Sequence, residues 1–339
     1  MARRPNPKLA DVARASGVSL ATASRALAEP DLVRAKTRER VREAASMLGY
    51  VPHGAARALA SRRSRTIGAV FPPVDNPIFA AAAQSLGHAL AGAGYTLLLA
   101  THDYDPAAEL AVTRTLIERG VDGLVLVGLD HDPSLFQLLR QASVPYEITW
   151  SVDPAGFHHC VGVAHRIASV RATQHLLELG HREFAVLSGH TAHNDRTRER
   201  LAGVREALAA SAIELRADRV MESEFTLPKA RAAFALLHER APGFTALVCG
   251  NDVLAIGALC ECAARGIRVP QSLSVMGFDD IDMAAGASPP LTTVRVPAAE
   301  IGRRAAARML ARLAGEAVPP IEELPAGLVV RESCGPAPR

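Results

Sequence analysis

Near the start of the chain, Thr22, Ser24 and Arg25 carry groups that can hydrogen-bond to nucleic acid. An arginine guanidinium can donate two hydrogen bonds to O6 and N7 of guanine. The two hydroxyls suit phosphate oxygens, contacts that fix register without distinguishing bases. With Leu20 and Ala21, these residues would form one exposed helix face. The alternative is an ordinary solvated face with a surface arginine.

A helix-turn-helix would position this face. Small and apolar residues recur at helical spacing over 9–13,. Gly17 can adopt a positive φ in the turn that follows, and Ser19 is placed to cap the second helix by accepting a hydrogen bond from the backbone N–H near Thr22. Two short helices joined by such a turn are typical of a motif whose second helix enters the DNA major groove. A plain helical hairpin is the alternative.

A third helix is predicted over 37–48, with Gly49 at its C-terminal end, so that residues 1–52 form a three-helix head. The segment 53–65 is Ala-rich and basic. It is either a flexible linker or a hinge that folds as a short helix on contact with DNA. On that helix Leu59 would be exposed, and an apolar side chain there can wedge between base pairs in the minor groove.

Charge is unevenly distributed along the 339 residues. Of the 38 Lys and Arg and the 35 Asp and Glu, 14 and 5 lie in the first 65 residues, which leaves 24 and 30 in the remainder. A basic head on an acidic body is expected to bind a polyanion in a salt-dependent way.

The sequence predicts a cytoplasmic protein, associated with the nucleoid when bound to DNA. Its start is basic and lacks the apolar region of an export signal, and no uncharged apolar run approaches the ~20 residues of a membrane helix. The cysteines are few and scattered, which fits a reducing compartment better than a disulfide framework. They are Cys160, Cys249, Cys260, Cys262 and Cys334.

From residue 66 onward, short apolar runs alternate with helical patterns. Strands alternating with helices predict parallel sheets covered on both faces, and ligands bind such sheets beyond the carboxyl ends of the strands. The predicted strands are 66–71, 96–100, 123–127, 146–149, 184–188, 246–250 and 274–278. The predicted helices include 78–93, 109–119, 169–179, 201–209, 229–239 and 253–265.

Polar and aromatic residues follow these strands. Aromatic faces with convergent hydrogen-bonding groups suit a polyol, a sugar or a sugar acid, so we expect a cleft at the mouths of two sheets. Taken singly, Asn251 and Asp252 have an alternative role as helix caps, and Trp150 as a core residue. The residues concerned are Asp75, Asn76, Phe79, His102, Asp103, Tyr104, Trp150, His190, residues 195–200, Asn251, Asp252, Asp279 and Asp280.

Other chemistries have little support. His158-His159-Cys160 and Cys260-x-Cys262 do not complete a four-ligand zinc pattern,, and helix residues two apart point to different faces. The sequence contains neither a phosphate-binding P-loop nor G-x-G-x-x-G, and no Ser, His and acid arrangement stands out as catalytic. We expect no metal, no cofactor and no enzymatic activity.

Several short motifs follow one another along the chain. They are Asp11-Val12-Ala13, Gly17-Val18-Ser19, Ala21-Thr22, Ser24-Arg25, Leu48-Gly49-Tyr50, Pro52, Ala56-Arg57, Leu59, Thr66-Ile67-Gly68, Asn76-Pro77 and Phe79. In this combination they resemble the LacI/GalR family of transcription regulators. The resemblance implies that Leu20 and Ala21 set operator preference and that Leu59 is a minor-groove lever. The implied DNA-binding residues are Ser19, Leu20, Ala21, Thr22, Ser24, Arg25, Tyr50, His53, Ala56, Arg57 and Leu59.

The head departs from the family pattern at four positions. Lys8 and Arg34 stand where Thr and Ser commonly cap the first and third helices, Ala23 replaces a Val, and His53 replaces an Asn before the hinge. The two lost caps are changes that a packed head can tolerate.

For the body, the resemblance implies the two-lobed fold of periplasmic sugar-binding proteins, with two doubly wound parallel sheets. The chain would cross between lobes near 161–165, 290–294 and 319–324. The N-lobe is then about 66–162 and 292–320, and the C-lobe about 163–291 and 321–339. Ala164-His165 replaces a common Asp-Asn pair at the first crossing, so we expect an unusual contact from His165. The implied effector-binding residues are Asn76, Phe79, Tyr104, Trp150, His165, Arg200, Asn251 and Asp279.

Within the family, three stretches resemble the gluconate-utilisation repressors. They are 147–150, 258–262 and 289–294. This branch implies a sugar-acid effector whose carboxylate pairs bidentately with Arg200, although a neutral sugar can use the same arginine through its hydroxyls.

These observations together predict a sequence-specific DNA-binding regulator, a repressor controlled by a small sugar or sugar acid. Because one small head makes few contacts, a homodimer (or a tetramer) on a pseudo-palindromic operator is expected. The alternatives are a solute-binding module without DNA function and a sugar-metabolising enzyme.

Overall fold

The computed structural model describes residues 7–28, 30–51 and 63–338. Contacts divide the chain into two units, Met1–Arg65 and Thr66–Arg339. The DNA-binding predictions for His53, Ala56, Arg57 and Leu59 lie outside the described residues.

In its described residues, the head contains three α-helices with a short 3₁₀ turn, Pro30–Leu32, between the second and third. The helices are α1 (Leu9–Ser16), α2 (Leu20–Ala28) and α3 (Ala35–Leu48). They pack on a core made largely of alanine, which lets short helices approach closely. The fully packed residues are Val12, Ala13, Ala23, Ala26, Val41, Ala44 and Ala45.

The helix ends of the head follow the predicted turn chemistry. Gly17 and Gly49 both adopt the left-handed conformation, with φ of +63°, and the Thr22 N–H donates to Ser19 Oγ at 3.1 Å. At the start of α1, the Lys8 N–H donates to Asp11 Oδ2 at 2.9 Å. Arg34 makes no side-chain cap at the start of α3. The head therefore tolerates the two departures at its caps.

The second unit has two six-stranded sheets. The first has the order β11-β5-β4-β3-β1-β2 and is parallel throughout. The second has the order β12-β10-β9-β8-β6-β7, in which only the outer strand β12 is antiparallel. The strands are β1 (Thr66–Phe71), β2 (Thr96–Thr101), β3 (Gly123–Val127), β4 (Tyr146–Trp150), β5 (Cys160–Gly162), β6 (Phe184–Ser188), β7 (Val220–Glu222), β8 (Ala246–Cys249), β9 (Ser274–Asp279), β10 (Thr292–Arg295), β11 (Ile321–Glu323) and β12 (Gly327–Val329).

Helices connect the strands of both sheets. A Cβ on Gly302 would lie 2.4 Å from the Ala82 carbonyl oxygen, so a close helix–helix approach in the first lobe requires glycine there. These helices are α4 (Pro77–Gly92), α5 (Pro106–Glu118), α6 (Pro133–Ala142), α7 (His165–Glu178), α8 (Asp195–Ala210), α9 (Leu227–Arg240), α10 (Asp252–Arg265), α11 (Asp282–Ala285) and α12 (Ala298–Leu313). The predicted fold class, a two-lobed α/β unit after an all-α head, is confirmed.

The predicted second and third lobe boundaries, at about 292 and 320, both lie later in the chain in the structure. Strand β10 pairs with β9 in the second sheet, with Thr293 opposite Gly277, so the second crossing follows β10. Strand β11 pairs with β5 in the first sheet, with Glu322 opposite Val161, so the third crossing follows β11. Strands of three or four residues give no periodic signal, and their sheet is decided by the partners they meet. The first crossing lies between β5 and α7, within the predicted range.

Within the described ranges, none of the helices combines the length and apolarity that a bilayer crossing requires.

Candidate functional site

Seven of the predicted DNA-contacting residues lie in the described part of the head, and five of them are exposed. Leu20 is 54% exposed although it is apolar, and Ala21, Ser24 and Arg25 are exposed beside it. Thr22 is half-buried, with its Oγ1 2.9 Å from Ser19 Oγ. An exposed leucine and arginine on one short helix form a surface that can meet base edges.

Tyr50 has a different environment from these residues. It is half-buried and packs against the head core, and its N–H donates to the Ala45 carbonyl at 2.8 Å. The structure therefore gives Tyr50 a packing role at the end of α3, in addition to the predicted contact with DNA.

Between the two lobes of the second unit lies an inner cavity of about 20 Å³. Since a cavity needs roughly 10–15 Å³ to hold one water, this one is nearly filled by its own side chains. All of the predicted effector residues except His165 line it: Asn76, Phe79, Tyr104, Trp150, Arg200, Asn251 and Asp279.

Strand ends and helix starts position these side chains, as the parallel-sheet rule predicts. Trp150 ends β4 with φ of +68°, and Asp279 ends β9 with φ of +116°. Asn76 and Asn251 cap α4 and α10: their Oδ1 atoms accept from Ile78 N at 3.5 Å and Leu254 N at 2.9 Å. Backbone in such sparsely populated regions is commonly held at functional sites.

An aromatic wall closes one side of the cavity. The Phe79 and Trp150 ring centroids are 4.9 Å apart, and Phe71 packs edge-on to Trp150 at 5.6 Å. Across the cavity mouth, Tyr104 and Phe225 lie 6.2 Å apart. The apolar ring faces suit the CH surface of a sugar.

Arg200 is the central cation of the site. Its Nη1 donates to the Gly250 carbonyl at 2.6 Å and its Nη2 to Asp279 Oδ1 at 3.2 Å, while the guanidinium carbon lies 3.8 Å from the centre of the Phe278 ring. Burial raises the pKa of Asp279 to about 6, although Arg200 opposes that shift. Burial also lowers the pKa of Arg200. The two groups form a buried, largely self-neutralised pair.

Arg196 is a second buried cation at the cavity. Its Nη1 donates to Asp195 Oδ1 at 2.8 Å and to the Val127 carbonyl at 3.3 Å. A Cβ on Gly128 would lie 1.8 Å from that nitrogen, so only glycine fits there. Arg196 and Asp195 thus form another ion pair that is nearly removed from solvent.

Asn251 carries the one unsatisfied polar atom that lines the inner cavity in the described part of the chain. Its Nδ2 is buried without a hydrogen-bond partner among the described residues. A buried donor without an acceptor costs about 1–3 kcal/mol. An acceptor oxygen of a ligand would remove that cost.

His165 lies behind the cavity wall instead of lining it. Its Nε2 donates to the Trp150 carbonyl at 3.1 Å, and its Nδ1 accepts from Arg200 Nε at 3.2 Å. Burial and then the nearby Arg200 charge hold its pKa well below 6.5.

The inner cavity adjoins an outer chamber of about 340 Å³, a volume within the usual range for small-molecule sites,. The two share Asn76, Tyr104, Asn194 and Phe225. Three carboxylate residues line the chamber together with an imidazole: Asp75, Asp103, Glu224 and His190.

The predicted site omits Arg196 and Phe225. Arg196 lies within the run 195–200 that follows β6, so the strand-end rule points to it, but its burial does not show in the sequence. Phe225 follows β7, a strand of three residues that the sequence pattern does not reveal.

Among the residues that the structure describes, no three His, Cys, Asp or Glu side chains are grouped to hold a metal ion. Cys260 is exposed while Cys262 is buried, as expected for two positions on different faces of one helix.

Two family models match the sequence. Residues 8–53 match the model of bacterial regulatory proteins of the lacI family, and residues 173–334 match a periplasmic binding protein-like domain. The transcriptional regulator CelR of Thermobifida fusca is 35% identical, over 98% of this chain and 100% of the relative. The regulator GntR of Pseudomonas aeruginosa is 33% identical, over 92% and 91%.

Solved structures agree with these matches. A CelR–cellobiose complex has a TM-score of 0.72 at 33% identity, over 96% of this chain and 99% of that one. A lac repressor dimer bound to operator has a TM-score of 0.86 at 26% identity, over 96% and 98%. The chain therefore belongs to the LacI family of DNA-binding transcriptional regulators.

Proposed function

We propose that this protein is a repressor that binds a pseudo-palindromic operator as a homodimer and is controlled by a neutral sugar in the interlobe cleft. Sugar binding changes how the lobes are arranged, and this change alters operator affinity through the segment before residue 66. Couplings between two such sites typically amount to ~1–3 kcal/mol.

The buried, unsatisfied amide of Asn251, in a cavity that the Phe79 and Trp150 rings also line, is the observation that carries this proposal. Both buried arginines already have carboxylate partners, Arg200 with Asp279 and Arg196 with Asp195. The outer chamber adds the carboxylates of Asp75, Asp103 and Glu224. An anionic ligand would meet this excess of negative charge, whereas hydroxyl groups can accept from the amide and donate to carboxylates.

The gluconate-like effector is the alternative within the same function. A gluconate-like effector would require Arg200 to donate to the ligand carboxylate as well as to Asp279. Otherwise Asp279 and the ligand carboxylate would have to share a proton, which the raised pKa of Asp279, about 6, favours,. The solved relative bound to cellobiose supports the neutral class.

The edge of the first sheet supports a dimer. Strand β2 is its outermost strand, and Leu98 and Leu99 on it are 37% and 42% exposed. An apolar edge strand left open is a surface that another chain can cover. Two heads in one dimer would then read the two halves of a palindrome.

The test measures operator binding and sugar response in the same protein. Palindromic fragments from upstream DNA are titrated by fluorescence anisotropy, alone and with cellobiose, maltose, gluconate or glucose 6-phosphate. We expect nanomolar binding that a neutral sugar weakens, together with a rise in thermal midpoint from the same sugar. Protein that binds no fragment, or that no sugar affects, would refute the proposal.

Arg25 provides a sharper test of the head. We expect Arg25→Ala to cost ~1–3 kcal/mol of operator affinity and to relax preference at one base pair. Arg42 on α3 is also exposed, so Arg42→Ala is the matched control and should affect operator and random DNA alike. Equal losses on both DNAs for Arg25→Ala would exclude a base contact.

A further inference from the structure

His165 occupies a special place in the chain. It is the first residue of α7, directly after the first crossing between lobes. Only 4% of the residue is exposed. Its ring packs against Phe278 of the second lobe, with centroids 5.7 Å apart.

The imidazole makes one hydrogen bond to each lobe. The Trp150 carbonyl of the first lobe can only accept, so Nε2 must carry the proton. Arg200 Nε of the second lobe can only donate, so Nδ1 must be unprotonated,. The geometry therefore fixes one neutral tautomer. Burial, which holds the pKa of His165 well below 6.5, agrees with that state.

The two partners of this histidine are themselves parts of the cavity. Trp150 forms the aromatic wall with Phe79, and Arg200 holds Asp279 and the carbonyl before Asn251. One imidazole thus links the strand end that carries the ring surface of one lobe to the polar groups of the other. A ligand that moves either partner must stretch or break a bond to His165.

We propose that His165 is a positioning residue that couples occupancy of the cleft to the arrangement of the two lobes. The inference rests on the proposed function. The His165 ring bonds to Trp150 of the first lobe and to Arg200 of the second at once. It is not among the residues that line the inner cavity, so its effect should appear in the coupling more than in sugar affinity.

Three substitutions distinguish the contributions of the two His165 hydrogen bonds, to Trp150 and to Arg200. His165→Asn keeps an acceptor for Arg200 near the position of Nδ1 but does not reach Trp150. His165→Gln places an N–H near the position of Nε2 and loses the acceptor. His165→Phe keeps a ring and removes both bonds. His181 is the matched control, because it is also buried but bonds to Thr245, Ser274 and Gly335, all in the second lobe.

The readout is the ratio of operator Kd with and without sugar, with cellobiose, maltose and gluconate as probes. We expect His165→Phe to bring that ratio close to one and the Asn and Gln variants to give intermediate ratios. His181→Phe should lower the thermal midpoint and keep the ratio. The Asn and Gln variants carry the test if His165→Phe does not fold.

The role of His165 would be overturned if the Asn and Gln variants kept the wild-type ratio of operator Kd with and without sugar. It would also be overturned if His181→Phe reduced that ratio as much as His165→Phe does. Either result would leave the proposed function intact. A wild-type protein whose operator affinity none of the three probes changes would overturn the proposed function and this role with it.

Discussion

The oxygen and the nitrogen of the Asn251 side-chain amide have different roles. Its Oδ1 caps α10 by accepting from Leu254 N at 2.9 Å, while its Nδ2 is buried at the inner cavity without a partner among the described residues. The cap stabilises the fold, and the unsatisfied donor destabilises it until a ligand binds. The two contributions can be separated because serine also caps helices well.

We therefore expect Asn251→Ser, which keeps a cap and removes the unsatisfied donor, to raise the thermal midpoint of the sugar-free protein and to keep its operator affinity, while lowering sugar affinity up to about tenfold, the effect of one hydrogen bond. Isothermal titration with the sugar that gives the greatest thermal shift measures this. Asn251→Ala loses the helix cap together with the donor, so it should lower both the thermal midpoint, relative to Asn251→Ser, and the sugar affinity. Sugar affinity unchanged in Asn251→Ser would mean that the amide does not contact the ligand.

Asp252 is a carboxyl buried under the same site. Its Oδ1 accepts from Thr293 Oγ1 at 2.5 Å and its Oδ2 from Ile281 N at 2.9 Å. Burial, and then the neighbouring Asp279 carboxylate, raise its pKa from 3.8 to about 8. The folded protein thus holds a proton that the unfolded chain releases. The associated stability is fully present below pH 3.8 and is lost as the pH rises through 8,.

Asp252→Asn should remove this dependence, since an amide resembles the protonated acid. Between pH 5 and 8 the wild-type free energy of unfolding should fall relative to the variant by at most ~1.4 kcal/mol per pH unit. Urea denaturation at several pH values tests this, with the exposed Asp282→Asn as a control expected to follow the wild type. Parallel curves for Asp252→Asn and the wild type would show that Asp252 is ionised in the fold.

At the scale of elements, strands built on buried apolar runs could be predicted, including the four-residue β8, and most of the shortest strands could not. The bounds of β1, β3 and β6 agree with the prediction because each is built on a buried, mostly apolar run. Strands β5, β7, β10, β11 and β12 have three or four residues. The partners of these short strands are strands elsewhere in the sequence, so their sheet cannot be predicted locally. For this reason the observed lobe boundaries differ from the predicted ones.

The same limit applies to the site. Strand-end positions bring together most of the cavity residues, because parallel strands end at one edge of a sheet. The contact of Arg200 with His165 joins residues 35 apart, and only the folded crossing brings them together. Self-neutralisation of the two arginines is likewise a tertiary property. The sequence leaves a sugar and a sugar acid open, and this pairing is our reason for proposing the neutral sugar.

Helix α12 is fixed to the first sheet by a buried ionic cluster. Arg308 on α12 pairs with Glu147 on β4, and Arg312 Nη1 lies 3.3 Å from Glu147 Oε2. Arg308 also donates to the carbonyls of Pro319 and Pro320, which precede β11. Glu147 is fully buried. A single cluster therefore joins a helix, a central strand and the approach to the third crossing.

Removing one partner leaves a buried charge, so Glu147→Leu and Arg308→Met should each destabilise the protein by ~3–5 kcal/mol. The double variant should be less destabilised than the sum of the two, because an apolar pair leaves less buried charge uncompensated. Urea denaturation of the four proteins gives the coupling energy. Additive losses would show that Glu147 and Arg308 do not stabilise each other.

At the scale of the whole molecule, hydrogen bonds from the first turns of α8 in the second lobe connect it to the first lobe. Asp195 of the second lobe accepts from Leu129 N at 3.1 Å and from Ser151 Oγ at 2.6 Å, both in the first lobe. Arg198 adds a hydrogen bond to Asp130 Oδ2 at 2.6 Å. With about 20 Å³ inside, the inner cavity has no room for a sugar ring in this arrangement. A sugar must therefore displace these interlobe contacts to reach Arg200 and Asn251.

Asp195→Ala should then favour the open arrangement, since it removes two interlobe hydrogen bonds and takes away the carboxylate partner of Arg196. We expect a larger radius of gyration in small-angle scattering and a faster association of sugar in stopped-flow measurements. Arg231→Ala, which breaks an ion pair with Glu261 inside the second lobe, controls for loss of a charged contact as such. If Asp195→Ala scatters like the wild type and binds sugar at the same rate, entry does not require these contacts to break, and the cleft must admit its ligand through the outer chamber alone.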